Sequence, residues 1–376
     1  MPPLFTKALN FSKNWNCFLQ TTHKVSTPGR ICLFGEHQDY LGLPVIAAAI
    51  SKRIFIDGKK VDGNSVKIEL PDISQTDSFL IEEKVLYKNE RDYLRSAFNV
   101  LVREGYSFTR GIECKIHGEI PINAGTSSSS ALIIAWIQFL ILMSDKPANV
   151  SLQKIAELGY KAEVLEFAEP GGMMDHYSTA CGNIIWLEST PKINLQNIHA
   201  RLGTFVLANS LEPKDTKYIL SRVKKGVMNI TQILSKLDPG FSIHTIQEDD
   251  VYRYEDELNG DTNELLKGTI RNRDLTFEAY KVLSAESIDE QRFGRLMNEH
   301  QKVLRDVLQI STPKIDNMIE TSLKAGAFGA KINGSGGGGC MFAYAPKNPE
   351  KVLEALKKYT QDAWIVTIDE GTRIEN

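Results

Sequence analysis

The run Ala131 to Met143, ALIIAWIQFLILM, constrains this chain more than any other segment, because only Gln138 interrupts its apolar character. A helix that is apolar on every face has no side to give to water, so it has to be buried all round. About 18 or more apolar residues are needed before a membrane span becomes the better reading, and this run is shorter. It predicts a helix enclosed by the core of a sizeable protein.

The surroundings follow from local patterns. From Lys24 to about Glu69, the β-branched residues around Ile31, the Val45–Ile50 run and Arg53–Asp57 are separated by Gly, Pro and Asp turns, which predicts sheet with loops. Arg91–Arg103 carries Leu94, Ala97, Phe98, Leu101 and Val102 at helical period, Ile112–Ile116 alternates like a strand, and Leu152–Glu166 reads as a helix before the strand Asn183–Leu187. A polar stretch, Pro191–Arg201, precedes the strand Thr204–Ala208 and marks a domain boundary, giving units 1–200 and 201–376. The second unit is richer in helix, over Asp215–Leu237, Asn263–Leu283, Ile288–Leu308, Pro313–Ala325 and Pro349–Tyr359, with strands at Gly329–Ile332, Cys340–Tyr344 and Ala363–Thr367. Strands and helices mix without strict βαβ alternation, so the fold class is α+β rather than a doubly wound sheet.

Charge and cysteines exclude several functions. Lys plus Arg is 44 against 47 for Asp plus Glu, a net charge of -3, which provides no electrostatic footprint for nucleic acid or an anionic membrane. The five cysteines, Cys17, Cys32, Cys114, Cys181 and Cys340, are odd in number and form no CxxC pair, so neither a disulfide framework nor a zinc site is indicated. The N-terminus has no charged region followed by an apolar core, so a cytoplasmic location is expected.

Four segments can carry chemistry. TPGRICLFGEHQDYLG packs Arg30, Glu36, His37 and Asp39 into a turn-rich stretch; such groups can bracket the hydroxyls of a polyol, although composition alone equally allows a solvated polar loop. PINAGTSSSSAL is a loop of small residues running into the apolar helix, a geometry that leaves unpaired N–H groups for a phosphate at the positive end of the helix dipole. A serine run is also an ordinary linker or N-cap, and no Gly-Lys-Ser/Thr triplet makes this a Walker A loop. In AEVLEFAEPGGMMDH, Glu163 lies late in a helix and Pro170-Gly171-Gly172 breaks the chain so that Asp175 can start a new element, as a base or simply as a cap; Glu166 and Glu169 read as surface charges. GAKINGSGGGGC joins two strands through more glycines than a plain hairpin needs, which lets the backbone approach a ligand or another segment closely.

Together these segments resemble the GHMP small-molecule kinases, and the galactokinase branch most closely. PGRICLFGEHQDYLG is similar to the galactokinase signature, in which Gly-Glu-His-x-Asp-Tyr follows Gly-Arg-x-Asn-Leu-Ile; Asp39 and Tyr40 are kept where mevalonate-kinase relatives usually continue with an apolar run. PINAGTSSSSA resembles the family's phosphate loop, AEVLEFAEPGGMMDH its Glu-to-Asp segment and GAKINGSGGGGC its glycine-rich third motif, in the family's order. Cys32, Leu43 and Asn123-Ala124 depart from the usual Asn, Gly and Gly-Gly, and no counterpart of a sugar-contacting tyrosine in the second domain stands out.

The resemblance implies a two-domain α+β fold, with an N-terminal domain like the second domain of ribosomal protein S5 and a ferredoxin-like C-terminal domain. It implies ATP and Mg²⁺ as cofactors and phosphorylation of the anomeric hydroxyl of a hexose, galactose first, by a monomer or weak homodimer. Arg30 and Asp175 then fall at catalytic positions; Glu36, His37, Asp39 and Gly172 at sugar contacts; Gly125, Thr126, Ser127, Ser128 and Ser129 along the nucleotide phosphates; and Ser128 or Ser129 with Glu163 at the Mg²⁺ site. The alternatives are a kinase for L-arabinose, L-fucose, a uronic acid or a heptose derivative, and a non-catalytic sensor that binds sugar and nucleotide.

Overall fold

A computed structural model describes residues 21–213 and 216–375. The N-terminal stretch, Cys17 and the expected helix start at Asp215 lie outside the described residues.

The first sheet grows from a long hairpin. β1 (His23–Phe34) pairs antiparallel with β2 (Val45–Val61), and the register shifts at Pro28/Gly29 and again at Cys32/Phe34, on either side of Arg30. A proline inside a strand is tolerated at such an irregularity, and irregularities of this kind re-aim neighbouring side chains. β3 (Ser65–Leu70), β4 (Gln75–Leu80) and β5 (Gly111–Gly118) extend the sheet, with β3–β5 its parallel contact. β6 (Ile184–Glu188) adds to β2, and β7 (Asn194–Ile198), which lies in the stretch expected to be a polar boundary, adds to β6.

The second sheet is antiparallel throughout. β8 (Phe205–Asn209), β9 (Gly329–Ile332), β10 (Cys340–Tyr344) and β11 (Ala363–Val366) stand in the order β11-β8-β10-β9. The chain then returns to the first sheet, where β12 (Arg373–Glu375) pairs with β1 over Lys24–Ser26. Buried Arg53 holds this return, donating to Asp369 Oδ2 at 2.7 Å and to the Glu370 and Gly371 carbonyls.

Helices fill the layers. α1 (Tyr93–Arg103) and α2 (Ser128–Met143) precede α3 (Leu152–Tyr160) and α4 (Met174–Cys181), and α2 packs on β1, β2 and all three of these helices. It is enclosed as its composition requires: Ile133, Ile134, Trp136, Ile137, Phe139 and Leu140 are fully buried, and Trp136 Nε1 finds the Leu94 carbonyl at 2.9 Å. Each such side chain stabilises the fold by about 1.5–3 kcal/mol. The second half carries α5 (Thr216–Leu237), α6 (Gly260–Leu283), α7 (Glu290–Asp306), α8 (Pro313–Lys324) and α9 (Pro349–Leu356).

The helix expected over Leu152–Glu166 departs from its prediction. It is α-helical to Tyr160 and then widens over Lys161–Leu165, where the Glu166 N–H reaches back to the Lys161 carbonyl. The Ser96 hydroxyl donates to the Ala162 carbonyl at 2.6 Å, engaging a group that a regular helix would use itself. Wide turns of this kind occur often at functional sites, and this one carries Glu163.

Candidate active site

Arg30 and Asp175 meet across 145 residues of chain. The buried Arg30 guanidinium donates through Nε to Asp175 Oδ1 at 2.8 Å, places Nη2 2.6 Å from the same oxygen, and bonds through Nη1 to the Gly125 carbonyl. Asp175 sits in the first turn of α4 and its side chain stays about a third exposed, opening onto a cleft. Burial pushes its carboxyl up, but Arg30 and the Ser127 hydroxyl more than offset this, so it titrates below the ordinary aspartate value and is ionised at neutral pH.

The phosphate-loop candidate folds as its composition demands. Gly125 has φ 85° and Ser127 φ 60°, and α2 begins at Ser128, so the first-turn N–H groups have no partner within the helix, and Ser127, Ser128 and Ser129 line the cleft there. Thr126 differs: its side chain is fully buried, its hydroxyl turns to the Pro121 carbonyl at 3.4 Å, and only its backbone serves the site, accepting from the Arg30 N–H at 3.1 Å. The two ends of the glycine run pack against this loop, while Gly336 and Gly338 pack against Ile310 and Glu212. A Cβ at Gly334 would come within 2.8 Å of the Gly125 carbonyl, and one at Gly339 within 2.7 Å of the Ala124 carbonyl.

Asp39, which also lines the cleft, accepts the N–H of Tyr40 at 2.9 Å and, through Oδ2, that of Met174 at 3.1 Å. It thereby ties the signature turn to the start of α4; burial raises its pKa. Gly172 is required by close approach, since a Cβ there would overlap the Asp39 carboxylate. His37 has φ 63° and bonds through Nε2 to the Ser335 carbonyl at 3.0 Å and through Nδ1 to the Tyr40 hydroxyl at 2.9 Å. A carbonyl only accepts, so Nε2 carries the proton and, in the neutral ring, Nδ1 accepts from tyrosine. Glu36 borders the cleft, but its carboxylate is 1% exposed and pairs with the fully buried Lys331, with His300 Nδ1 3.7 Å from its other oxygen.

Glu163 is buried at the cleft wall and accepts from His176 Nε2 at 2.8 Å. The reading of Glu169 as a surface charge is corrected: it lines the cleft, its side chain is 9% exposed, and both oxygens take a bidentate pair of 2.7 Å bonds from Arg91. Glu166 instead pairs with Arg103 and Tyr87 at a more open position. Arg91, Tyr93, His176, Leu220 and Ser335 also line the cleft. Of these His176 carried a signal in its place next to Asp175 and Ser335 in its glycine-rich segment; Arg91, just ahead of α1, Tyr93 in α1 and Leu220 in α5 arrive by tertiary packing.

Comparison with known proteins decides the family. The chain matches the GHMP kinases N terminal domain over residues 92–183, the GHMP kinases C terminal domain over 282–362 and the galactokinase galactose-binding signature over 11–60. It belongs to the GHMP kinases. As such it is a phosphotransferase with an alcohol group as acceptor, and its two-domain α+β fold is the family's. This GHMP kinase is 29% identical to a mevalonate kinase of Thermococcus sibiricus over 370 residues, covering 93% of the chain and 98% of that protein. It is 26% identical to a galactokinase of Enterococcus faecalis over 367 residues, covering 92% of the chain and 93% of that protein. In fold it is similar to Lactococcus lactis galactokinase complexed with galactose, at TM-score 0.82 and 23% identity over 94% of this chain and 95% of that one. It is also similar to Methanococcus jannaschii mevalonate kinase, at TM-score 0.69 and 22% identity over 93% and 99%. No helix among the described residues is long and apolar enough to cross a membrane.

Proposed function

We propose that this GHMP kinase transfers the γ-phosphoryl group of ATP, with Mg²⁺, to the anomeric hydroxyl of a hexose, galactose giving galactose 1-phosphate. The observation that carries this reading is the Arg30–Asp175 pair, opening on a cleft lined both by the start of α2 and by Asp39 of the galactokinase signature with Gly172 against it.

The roles follow from charge. Phosphoryl transfer asks little covalent chemistry of the protein, so positioning and neutralisation dominate. Gly125 and the first turn of α2 cradle the phosphates, Arg30 offsets charge on the group in transit, and Asp175 orients the attacking hydroxyl and takes its proton as the new P–O bond forms and ADP leaves. Asp175 held ionised by Arg30 is a weak base before the transition state, so it accepts the proton as the hydroxyl becomes acidic through attack. Asp39, His37 and the space kept by Gly172 serve the sugar, while the Glu36 carboxylate is taken by Lys331 and has no direct part.

The metal's donor set fits a hard cation. Glu163 and the Ser128 or Ser129 hydroxyl offer only oxygen, and Mg²⁺ is commonly held by one or two carboxylates plus substrate phosphates. Among the described residues no group of three or more His, Cys, Asp and Glu could hold a metal by itself. When bound there, the ion would neutralise charge on the β- and γ-phosphates. We also take the chain as two units, 1–200 and 201–376.

A second reading, a different alcohol acceptor, is favoured by the identity to mevalonate kinases. One experiment separates them: ADP release from Mg·ATP against galactose, glucose, L-arabinose, L-fucose, galacturonate and mevalonate. Turnover on galactose supports the first reading, turnover on mevalonate alone replaces it, and nucleotide binding without turnover on any acceptor leaves a sensor. Within the active pair, Asp175→Asn is expected to lower kcat about 10²–10⁴-fold with sugar binding retained.

A further inference from the structure

Past Ser26 the outer edge of β1 has no strand beside it among the described residues. β12 covers Lys24–Ser26 alone, and β2 occupies the opposite edge. Buried backbone groups on such an edge need partners. Here two other segments, the loop before α2 and the end of β9 with the residue just past it, supply them. The Arg30 N–H donates to the Thr126 carbonyl at 3.1 Å, and the Arg30 carbonyl accepts from Asn333 Nδ2 at 3.4 Å. The Cys32 N–H donates to Asn333 Oδ1 at 2.9 Å, and the Cys32 carbonyl accepts from Lys331 Nζ at 3.0 Å. One carboxamide thus does on β1 what a neighbouring strand would do.

The same carboxamide reaches the phosphate loop. Asn333 Nδ2 donates to the Gly125 carbonyl at 2.9 Å, and this is the carbonyl that Arg30 Nη1 also uses. Asn333 is fully buried, lies just past β9, and anchors its own N–H on the Cys340 carbonyl at 3.0 Å. Its side chain therefore joins the backbone of Arg30, the acceptor of the Arg30 guanidinium and the second sheet at a single point.

We propose that Asn333 is a positioning residue for phosphoryl transfer, holding Arg30 and the Gly125 carbonyl in one frame so that the guanidinium stays aimed at Asp175 and the group in transit. The proposal rests on Arg30 and Asp175 being the transfer pair. A carboxamide suits the task because one planar group offers both an acceptor for Cys32 and donors for Gly125 and Arg30. Removing it frees the phosphate loop to shift against β1, and a misplacement near 1 Å can cost about 10²-fold in rate.

The test uses the full chain with Mg·ATP and the acceptor it turns over best. Asn333→Ala is expected to lower kcat about 10- to 100-fold while both KM values stay within about 3-fold, with rates taken per folded molecule. Asn333→Asp, nearly isosteric, keeps the acceptor for Cys32 but turns an oxygen toward the Gly125 carbonyl; it should lose kcat similarly, and it carries the test if the alanine variant does not fold. The deciding measurement repeats the substitution in an Arg30→Lys background, where the fork that bonds both Asp175 and Gly125 is already gone. There the Asn333 change should cost less than about 3-fold. An equal loss in both backgrounds, or wild-type kcat in Asn333→Asp, overturns the proposal. Asp175→Asn, assayed alongside, distinguishes the two levels: wild-type turnover in that variant removes the transfer-pair reading itself, whereas an inactive Asp175→Asn beside unaffected Asn333 variants removes only the role of Asn333.

Discussion

Gly172→Ala should separate sugar binding from catalysis. The Cβ it adds overlaps the Asp39 carboxylate, and even Oδ1, the farther oxygen, lies only 2.6 Å from it. That oxygen has to retreat by about 0.8 Å to reach the 3.4 Å at which ordinary contact begins, and Oδ2 by more. Oδ2 is the atom that accepts the Met174 N–H at 3.1 Å, so the retreat breaks a charge-assisted hydrogen bond at the start of α4. Hydrogen bonds to charged groups contribute about 1.5–3 kcal/mol, and each 1.4 kcal/mol is tenfold in an equilibrium constant. If the displaced carboxylate is also lost to the sugar, KM for the sugar rises about 10- to 100-fold. KM for ATP should change by less than about 2-fold, since the atoms nearest the added Cβ belong to Asp39 and none to the loop before α2. Initial-rate kinetics with sugar and ATP varied separately give the answer, alongside isothermal titration of the sugar. A sugar KM within 2-fold of wild type would refute the assignment of Asp39 to the acceptor, because the overlap leaves its carboxylate no way to stay in place.

Three further outcomes are expected. Asp175 has a folded pKa below its ordinary value of 3.8, so its contribution to stability is fully present above that value and lost as pH falls through the lower folded one; the Tm difference between wild type and Asp175→Asn should be constant near neutrality and shrink below about pH 4 in scanning calorimetry. Lys331→Met leaves the buried Glu36 carboxylate without its cation and should destabilise by about 3–5 kcal/mol in urea denaturation, a loss that Glu36→Gln in the same chain partly restores. Chelation with EDTA should abolish turnover without lowering Tm, because the proposed cation is shared with the substrate phosphates rather than held by a protein cage; a large Tm drop would point to a structural metal.

Much of the site was legible locally. Small residues ahead of an apolar helix announced a turn before α2, and the Pro-Gly-Gly break announced a new element around Asp175, which the structure shows to be the first turn of α4, because φ preferences and helix ends are properties of a few adjacent residues. Charged residues fared unevenly for a physical reason. Glu169 has the same chemistry as Glu166 three residues earlier, and only the arrival of Arg91, held at φ 60°, brings a guanidinium against it in the cleft wall. Glu36 carried the sugar signature in sequence, yet its carboxylate is taken by a lysine 295 residues away.

By itself, then, the sequence determined the buried helix, the strand and helix types around it, the turn ahead of α2 and the family, since these depend on period, turn chemistry and motif order along the chain. Tertiary structure alone decided which charges face the cleft and which are neutralised beneath it, the widened turn that carries Glu163, the return of the C-terminal strand to β1, and the clamp of Asn333 on Arg30. These are contacts between distant segments, and a carboxylate's or amide's partner is chosen by which surfaces the packed core brings within 3 Å of it, a quantity that no local spacing contains.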